Sequence, residues 1–236
     1  MAEPLLQVRE ITKAYKKLRV FERFSLTVDR GEIFGLLGVN GAGKTTLFKS
    51  ILGLVKTSAG EVLFDGKTLL PETVQEKIGY LPEFFLPPGE LNAGELLQLM
   101  GFGESVPAGR IRSLFERTEL DPGKRIADYS RGMIQRLGLA IALLKNPEFI
   151  MLDEPALGLD PVAQQKMLSW LKEFNGEGRT ILFSSHYLFH VEQLCHRIAI
   201  MHHGGIRFVG PTAEFLEKHR TDSLEEAFLK EVGYDA

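Results

Sequence analysis

Residues 38–45 read Gly38-Val39-Asn40-Gly41-Ala42-Gly43-Lys44-Thr45, directly after the apolar run Ile33-Phe34-Gly35-Leu36-Leu37. The octet fits G-x-x-x-x-G-K-[ST], the glycine-rich turn that wraps phosphate groups. Glycines let the backbone curl with its N–H groups facing inward, a shape that most side chains block. Behind the turn, Leu47, Phe48, Ile51 and Leu54 recur at helical spacing, so strand, turn and helix follow in order. The helix start adds its positive end to the anion site. Lys44 can reach the β- and γ-phosphates of a nucleotide, and Thr45 offers a hydroxyl to Mg²⁺. The residues expected to contact the nucleotide here are Gly38, Asn40, Gly41, Ala42, Gly43, Lys44, Thr45 and Thr46. A chance match arises in about one chain per hundred of this length. The flanking strand and helix make it more than a plain turn.

Further along, Phe149-Ile150-Met151-Leu152-Asp153-Glu154-Pro155 carries four apolar residues and then two carboxylates. A buried parallel strand delivers groups at its C-terminal end to the ligand crevice of an open α/β sheet. Asp153 suits Mg²⁺ ligation, and Glu154 can take a proton from an attacking water or orient it. An isolated Asp-Glu would more often be a solvated turn. Beside a phosphate turn, the pair supplies what binding and hydrolysis of ATP require.

The rest of the chain sets these motifs in an α/β rhythm. Short β-like runs and turns fill the N-terminal part, and "GEVLFDGK" forms a strand pair or edge strand around Asp65-Gly66. From residue 85 to 145 helical periodicity dominates. Strands "EFIML", "RTILFSS" and "RIAIM" then alternate with helices, His203-Gly204-Gly205 turns into "IRFVG", and a polar helical tail closes the chain. This order predicts a mostly parallel sheet wrapped by helices, with an N-terminal antiparallel β portion and an inserted helical subdomain. One domain is expected over 1–236: a catalytic core of 1–84 and 146–236, and a helical subdomain of 85–145. At 236 residues, with 44% hydrophobic and 25% charged residues, the chain can bury a substantial core. The net charge of -3 gives no support to general nucleic-acid binding. The single Cys195 rules out an internal disulfide. No apolar run approaches the roughly 18–20 residues of a membrane span, and no signal peptide is visible. The reading is a cytosolic, soluble chain.

Taken in order, the motifs resemble the ATP-binding cassette family, the ATPase subunits of ABC transporters. "GVNGAGKTT" is similar to the family's Walker A element and "FIMLDEP" to its Walker B element with a catalytic glutamate. About twenty residues before the acidic pair, "YSRGMIQR" occupies the place of the signature, and "ALGLD" resembles the D-loop. "SSHYL" resembles the switch histidine region, which implies His186 beside the γ-phosphate. Tyr15 stands where the family stacks an aromatic ring on adenine, and "GYLPE" where the Q-loop meets a transmembrane partner. The resemblance implies a P-loop NTPase (RecA-like) fold, with Glu154, His186 and Lys44 in catalysis and Mg²⁺ held by Thr45, Asp153 and Glu83. Two cassettes would meet head to tail over two ATP molecules, each touching the phosphate turn of one copy and Ser130 and Gly132 of the other. A separately encoded integral membrane permease would be the second partner. The cassette would then sit in the cytoplasm on the inner face of the membrane, with no nucleic acid expected.

Two departures stand out. Where the fullest signature reads Leu-Ser-Gly-Gly-Gln, this chain has Tyr129-Ser130-Arg131-Gly132-Met133, and Glu83 replaces the Q-loop glutamine. With "LEEAFL" near the C-terminus, both changes resemble the type-2 exporter branch. The direction of Arg131 (solvent, partner cassette or phosphate) stays open, with the helix expected to begin near Met133. Other readings carry less. His186 and His190 stand four apart without the glutamate of H-E-x-x-H. Ser184, His186 and Asp160 lack a G-x-S-x-G elbow. His196, His202 and His203 fit surface positions near a hairpin, and no N-K-x-D guanine-reading motif occurs.

Overall fold

The computed structural model describes residues 3–16, 18–102, 106–107 and 109–233. Its central strands are continuous apolar runs, as expected of strands covered on both faces. β3 (Ile33–Gly38), β7 (Phe149–Asp153) and β8 (Thr180–Ser184) are buried at every position. With β6 (Ile78–Leu81), β9 (Arg197–His202) and β10 (Gly205–Pro211) they form a six-stranded sheet of order β10-β9-β3-β8-β7-β6. Every neighbouring pair is parallel except the β9–β10 hairpin at one edge.

The N-terminal portion is antiparallel, as expected. β1 (Pro4–Tyr15), β2 (Leu18–Asp29), β4 (Ala59–Phe64) and β5 (Lys67–Thr68) form a sheet of order β2-β1-β4-β5. Side chains alternate across the parallel sheet with period two. Phe34, Leu36, Phe149, Met151 and Leu182 join a core with the antiparallel sheet and with α1 (Lys44–Ile51). On the other face, Ile33, Leu37, Ile150, Leu152, Ile181 and Phe183 join the helical core.

That helical core comes largely from the run between β6 and β7, which carries no strand among its described residues. It holds α3 (Ala93–Met100), α4 (Arg110–Thr118) and α5 (Arg131–Ala142), preceded by the short α2 (Pro71–Lys77). α3 is opened by a capping box, with Asn92 accepting from the Glu95 N–H and the Glu95 carboxylate accepting from the Asn92 N–H. After β7, α6 (Pro161–Gly176) starts where Asp160 accepts from the Val162 and Ala163 N–H groups, both at 3.0 Å, with Pro161 in the first turn. α7 (Leu188–Leu194), α8 (Thr212–His219) and α9 (Leu224–Glu231) complete the chain. The tail read as polar is amphipathic: α9 buries Leu224, Ala227 and Phe228. Among the described residues no helix is long and apolar enough to cross a membrane.

Candidate functional site

Parallel register brings the C-terminal ends of β3, β7 and β8 to one edge, with Leu36 and Asp153 both opposite Ser184. At the end of β3 the chain turns through Gly41 (φ +79°) and Gly43 (φ +107°) into α1. Both angles lie in the left-handed region that glycine alone occupies without strain. The turn, the strand ends and the tip of β1 surround an open cavity of about 460 Å³. Its lining includes Tyr15, Asn40, Gly41, Ala42, Gly43, Lys44, Thr45, Thr46, Glu83, Asp153, Glu154 and His186. Residues more than a hundred positions apart in sequence therefore meet where the motifs predict. Gly38 lies just below, as the last residue of β3.

Lys44 is buried, and its ammonium donates to the Gly38 carbonyl at 2.7 Å. The same Nζ stands 3.6 Å from Glu154 Oε1. On the other side, Glu154 Oε2 accepts the His186 backbone N–H at 3.2 Å and lies 2.8 Å from His186 Nδ1. The Glu154 side chain is only 7% exposed whereas that of His186 is 38% exposed. Glu154 is thus a fixed carboxylate with a lysine and a histidine on either side. Its backbone is left-handed, at φ +52°, an uncommon state for a non-glycine residue that its surroundings must hold.

Ser184 does much of that holding. Its hydroxyl accepts the Glu154 N–H at 2.9 Å and donates to Asp153 Oδ1 at 2.6 Å. In the sequence Ser184 stands out only as one of two serines before His186 and as a triad candidate that lacks the G-x-S-x-G elbow. Its role follows from the β7–β8 register, which pairs it with Asp153. Asp153 is fully buried, and among the described residues its second oxygen, Oδ2, has no partner. Burial pushes its carboxyl above the ordinary value, aided by the nearby Glu154 charge, while the hydrogen bond from Ser184 and the neighbouring Thr45 hydroxyl act the other way. Glu83 is raised too, first by burial and then by Asp153 and Glu154. A crowded carboxylate set with one orphaned buried oxygen is the chemistry a divalent cation satisfies. Thr45, Asp153 and Glu83 are therefore fit to hold Mg²⁺.

Tyr15 ends β1, 44% exposed, with Lys13 Nζ 4.5 Å from its ring centroid. The Lys13 ammonium thus covers one face of the ring, which leaves the other for a planar base. Leu18, Val20, Val39 and Leu157 also line the cavity, and sequence reasoning did not single them out. Their apolar side chains give no chemical signal of their own.

Ser130 and Gly132 do not line this cavity. The helix at the signature begins at Arg131, earlier than the expected Met133, because Ser130 is its N-cap. The Ser130 hydroxyl accepts the Met133 N–H at 3.3 Å. His190 is buried, His196 and His203 are exposed, and no group of three or more His, Cys, Asp or Glu residues suited to a metal occurs among the described residues.

Comparison with known proteins agrees with this geometry. The family model described as "ABC transporter" matches residues 21–157. An uncharacterized ABC transporter ATP-binding protein of Synechocystis sp. is 37% identical over 227 residues, covering 90% of this chain and 64% of that protein. The lantibiotic transport ATP-binding protein SrtF of Streptococcus pyogenes is 32% identical over 237 residues, covering 98% of this chain and 99% of that one. A solved structure described as the ATP-binding subunit of an ABC transporter aligns with a TM-score of 0.87 at 31% identity, covering 96% and 99% of the two chains. The chain thus spans just under two thirds of the Synechocystis relative and nearly all of the other two. With the phosphate turn, the acidic pair and the switch histidine assembled in one cavity, the chain belongs to the ABC transporter family of ATP-binding cassettes.

Proposed function

We propose that this chain binds and hydrolyses ATP to power a membrane transporter, working as a head-to-tail pair beside a separate permease. The observation that carries the hydrolytic reading is Glu154, held at the cavity wall by Ser184 and His186 with Lys44 beside it. Tyr15 stacks on adenine, and the glycine-rich turn takes the phosphates. Glu154 accepts the proton of a water that attacks the γ-phosphorus as its bond to the bridging oxygen breaks and ADP leaves. Lys44 and His186 stabilise the charge that develops on the γ-phosphate. Bound at Thr45 and Asp153, with Glu83 close by, Mg²⁺ would neutralise phosphate charge. Exposed Ser130 and the N-terminus of α5 lie outside the cavity, which supports their serving the nucleotide of a second copy.

On this reading residues 85–145 form a helical subdomain that moves against a core of 1–84 and 146–236. Phe84, Leu86, Leu99 and Phe102 are more than 60% exposed in or beside that subdomain, and exposed apolar side chains suit a protein partner. They support docking of a permease there, and hence a peripheral position on the inner face of the membrane. The name of the Streptococcus relative, a lantibiotic transport protein, supports a transport role, and the resemblance of the signature and the C-terminal stretch to the type-2 exporter branch supports export. Glu154→Gln tests the core of the proposal. The variant should bind ATP and pair, with turnover reduced on the order of 10²-fold or more. Turnover at the parent rate would overturn the assignment of the base.

A further inference from the structure

Arg131, which stands where the fullest signature carries glycine, has a definite neighbour. Its guanidinium lies against Gly158, in the loop between Glu154 and α6. A carbon built on Gly158 would stand 2.4 Å from Arg131 Cζ and Nη1 and 2.7 Å from Nε. Three guanidinium atoms therefore cover the face that glycine leaves open. Gly158 has φ +69°, so the loop needs glycine here for its backbone as well as for this approach.

The residues on either side of Gly158 face two different places. Leu157 lines the nucleotide cavity, and its N–H donates to the Glu154 carbonyl at 3.1 Å. Leu159 is buried, and its Cδ2 lies 3.7 Å from the position a Gly132 side chain would take. Its N–H donates to the Ala156 carbonyl at 3.3 Å, which closes the loop on itself. Arg131 therefore sits over the middle of a short segment with one end at Glu154 and the other packed on the signature helix. Among the described residues no acceptor takes a hydrogen bond from its guanidinium, so the contact is one of packing. A planar, weakly hydrated guanidinium can lie on a peptide in this way, and a lysine ammonium cannot.

We propose that Arg131 is a positioning residue: by covering Gly158 it joins the signature helix to the loop behind Glu154. The surface offered to a second copy and the wall of the chain's own nucleotide cavity then move as one piece. This rests on the proposed function, in which Ser130 and Glu154 serve two different nucleotides.

The test compares the full chain with Arg131→Ala and Arg131→Lys, by amide hydrogen exchange without nucleotide and by the ATP dependence of turnover. Both variants should exchange the Leu157 and Leu159 amides about fivefold faster, which corresponds to about 1 kcal/mol of lost local stability. Amides of β1 and β4 should keep parent rates. The Hill coefficient for ATP should fall toward one in both variants. Exchange at parent rates overturns the proposal, as does faster exchange with cooperativity intact. Rescue of cooperativity by lysine also overturns it, because that would mark Arg131 as a charge acting on phosphate. If the parent neither pairs nor turns over ATP while Leu157 and Leu159 still exchange faster in both variants, the proposed function fails and the tie between helix and loop stands.

Discussion

Ser184→Ala is the sharpest test of how the site is held. The substitution deletes one oxygen, yet that oxygen serves two neighbours. Asp153 loses a 2.6 Å donor and the buried Glu154 N–H loses its 2.9 Å acceptor. A hydrogen bond to a charged group contributes about 1.5–3 kcal/mol, and a buried donor left unmade costs about 1–3 kcal/mol. The adjoining cavity admits water that can satisfy part of this, so the expected loss is about 3 kcal/mol. In a chain of this size that lowers Tm by about 6–12 °C. Thermal unfolding of the ligand-free chain at pH 8 measures it directly. Without its serine donor the Asp153 carboxyl should rise further, so titration calorimetry should also find weaker binding of ATP with Mg²⁺. In an Asp153→Asn background the acceptor is uncharged, and the same serine deletion should cost about 1 kcal/mol less. A Ser184→Ala Tm within about 2 °C of the parent would refute the argument that this hydroxyl fastens both carboxylates.

Asp153→Asn alone should raise the ligand-free Tm at pH 8 while abolishing tight Mg²⁺ binding. Burial holds the Asp153 carboxyl above its ordinary 3.8, so ionising it costs native stability. That cost is absent below 3.8, where folded and unfolded chains are both protonated, and complete above the raised native value. The stabilisation should therefore shrink as pH falls toward 4, and a gain that grew on acidification would contradict the reasoning. Tyr15→Ala should weaken ATP binding about tenfold, as loss of one base stack implies, and Tyr15→Phe should bind like the parent. Inorganic triphosphate is the control: an equal loss of its affinity would show that Tyr15 acts on phosphate rather than on the base.

Most of the fold and the site could be read from residue order, because the chemistry is local in sequence. The phosphate turn is eight consecutive residues, and Asp153-Glu154 ends a run whose apolar character already marks a buried strand. What escaped was set by neighbours in space. α2 buries none of its residues and α8 only Thr212 and Phe215, so neither carries the apolar stripe from which a helix is read. Pro71 and Glu72 at one end of α2 and Lys77 at the other were the available signals. Apolar periodicity puts the start of α5 two residues late because Met133 is its first apolar position, whereas the cap comes from Ser130. Ser184 gained its role from strand register, and Arg131 its direction from a glycine twenty-seven positions away.

The hydrogen bond between Lys44 and the Gly38 carbonyl also bears on selectivity among anions. A lysine ammonium carries three N–H donors, so with one turned onto the Gly38 carbonyl it keeps two for an arriving anion and stays oriented while it waits. Orthophosphate or sulfate can meet those donors but is too short to reach the whole turn. A longer polyphosphate meets the same donors and also spans the backbone N–H groups of the turn and reaches Thr45. The site thereby sorts its visitors by chain length, because each further phosphate engages donors that a short anion leaves unused.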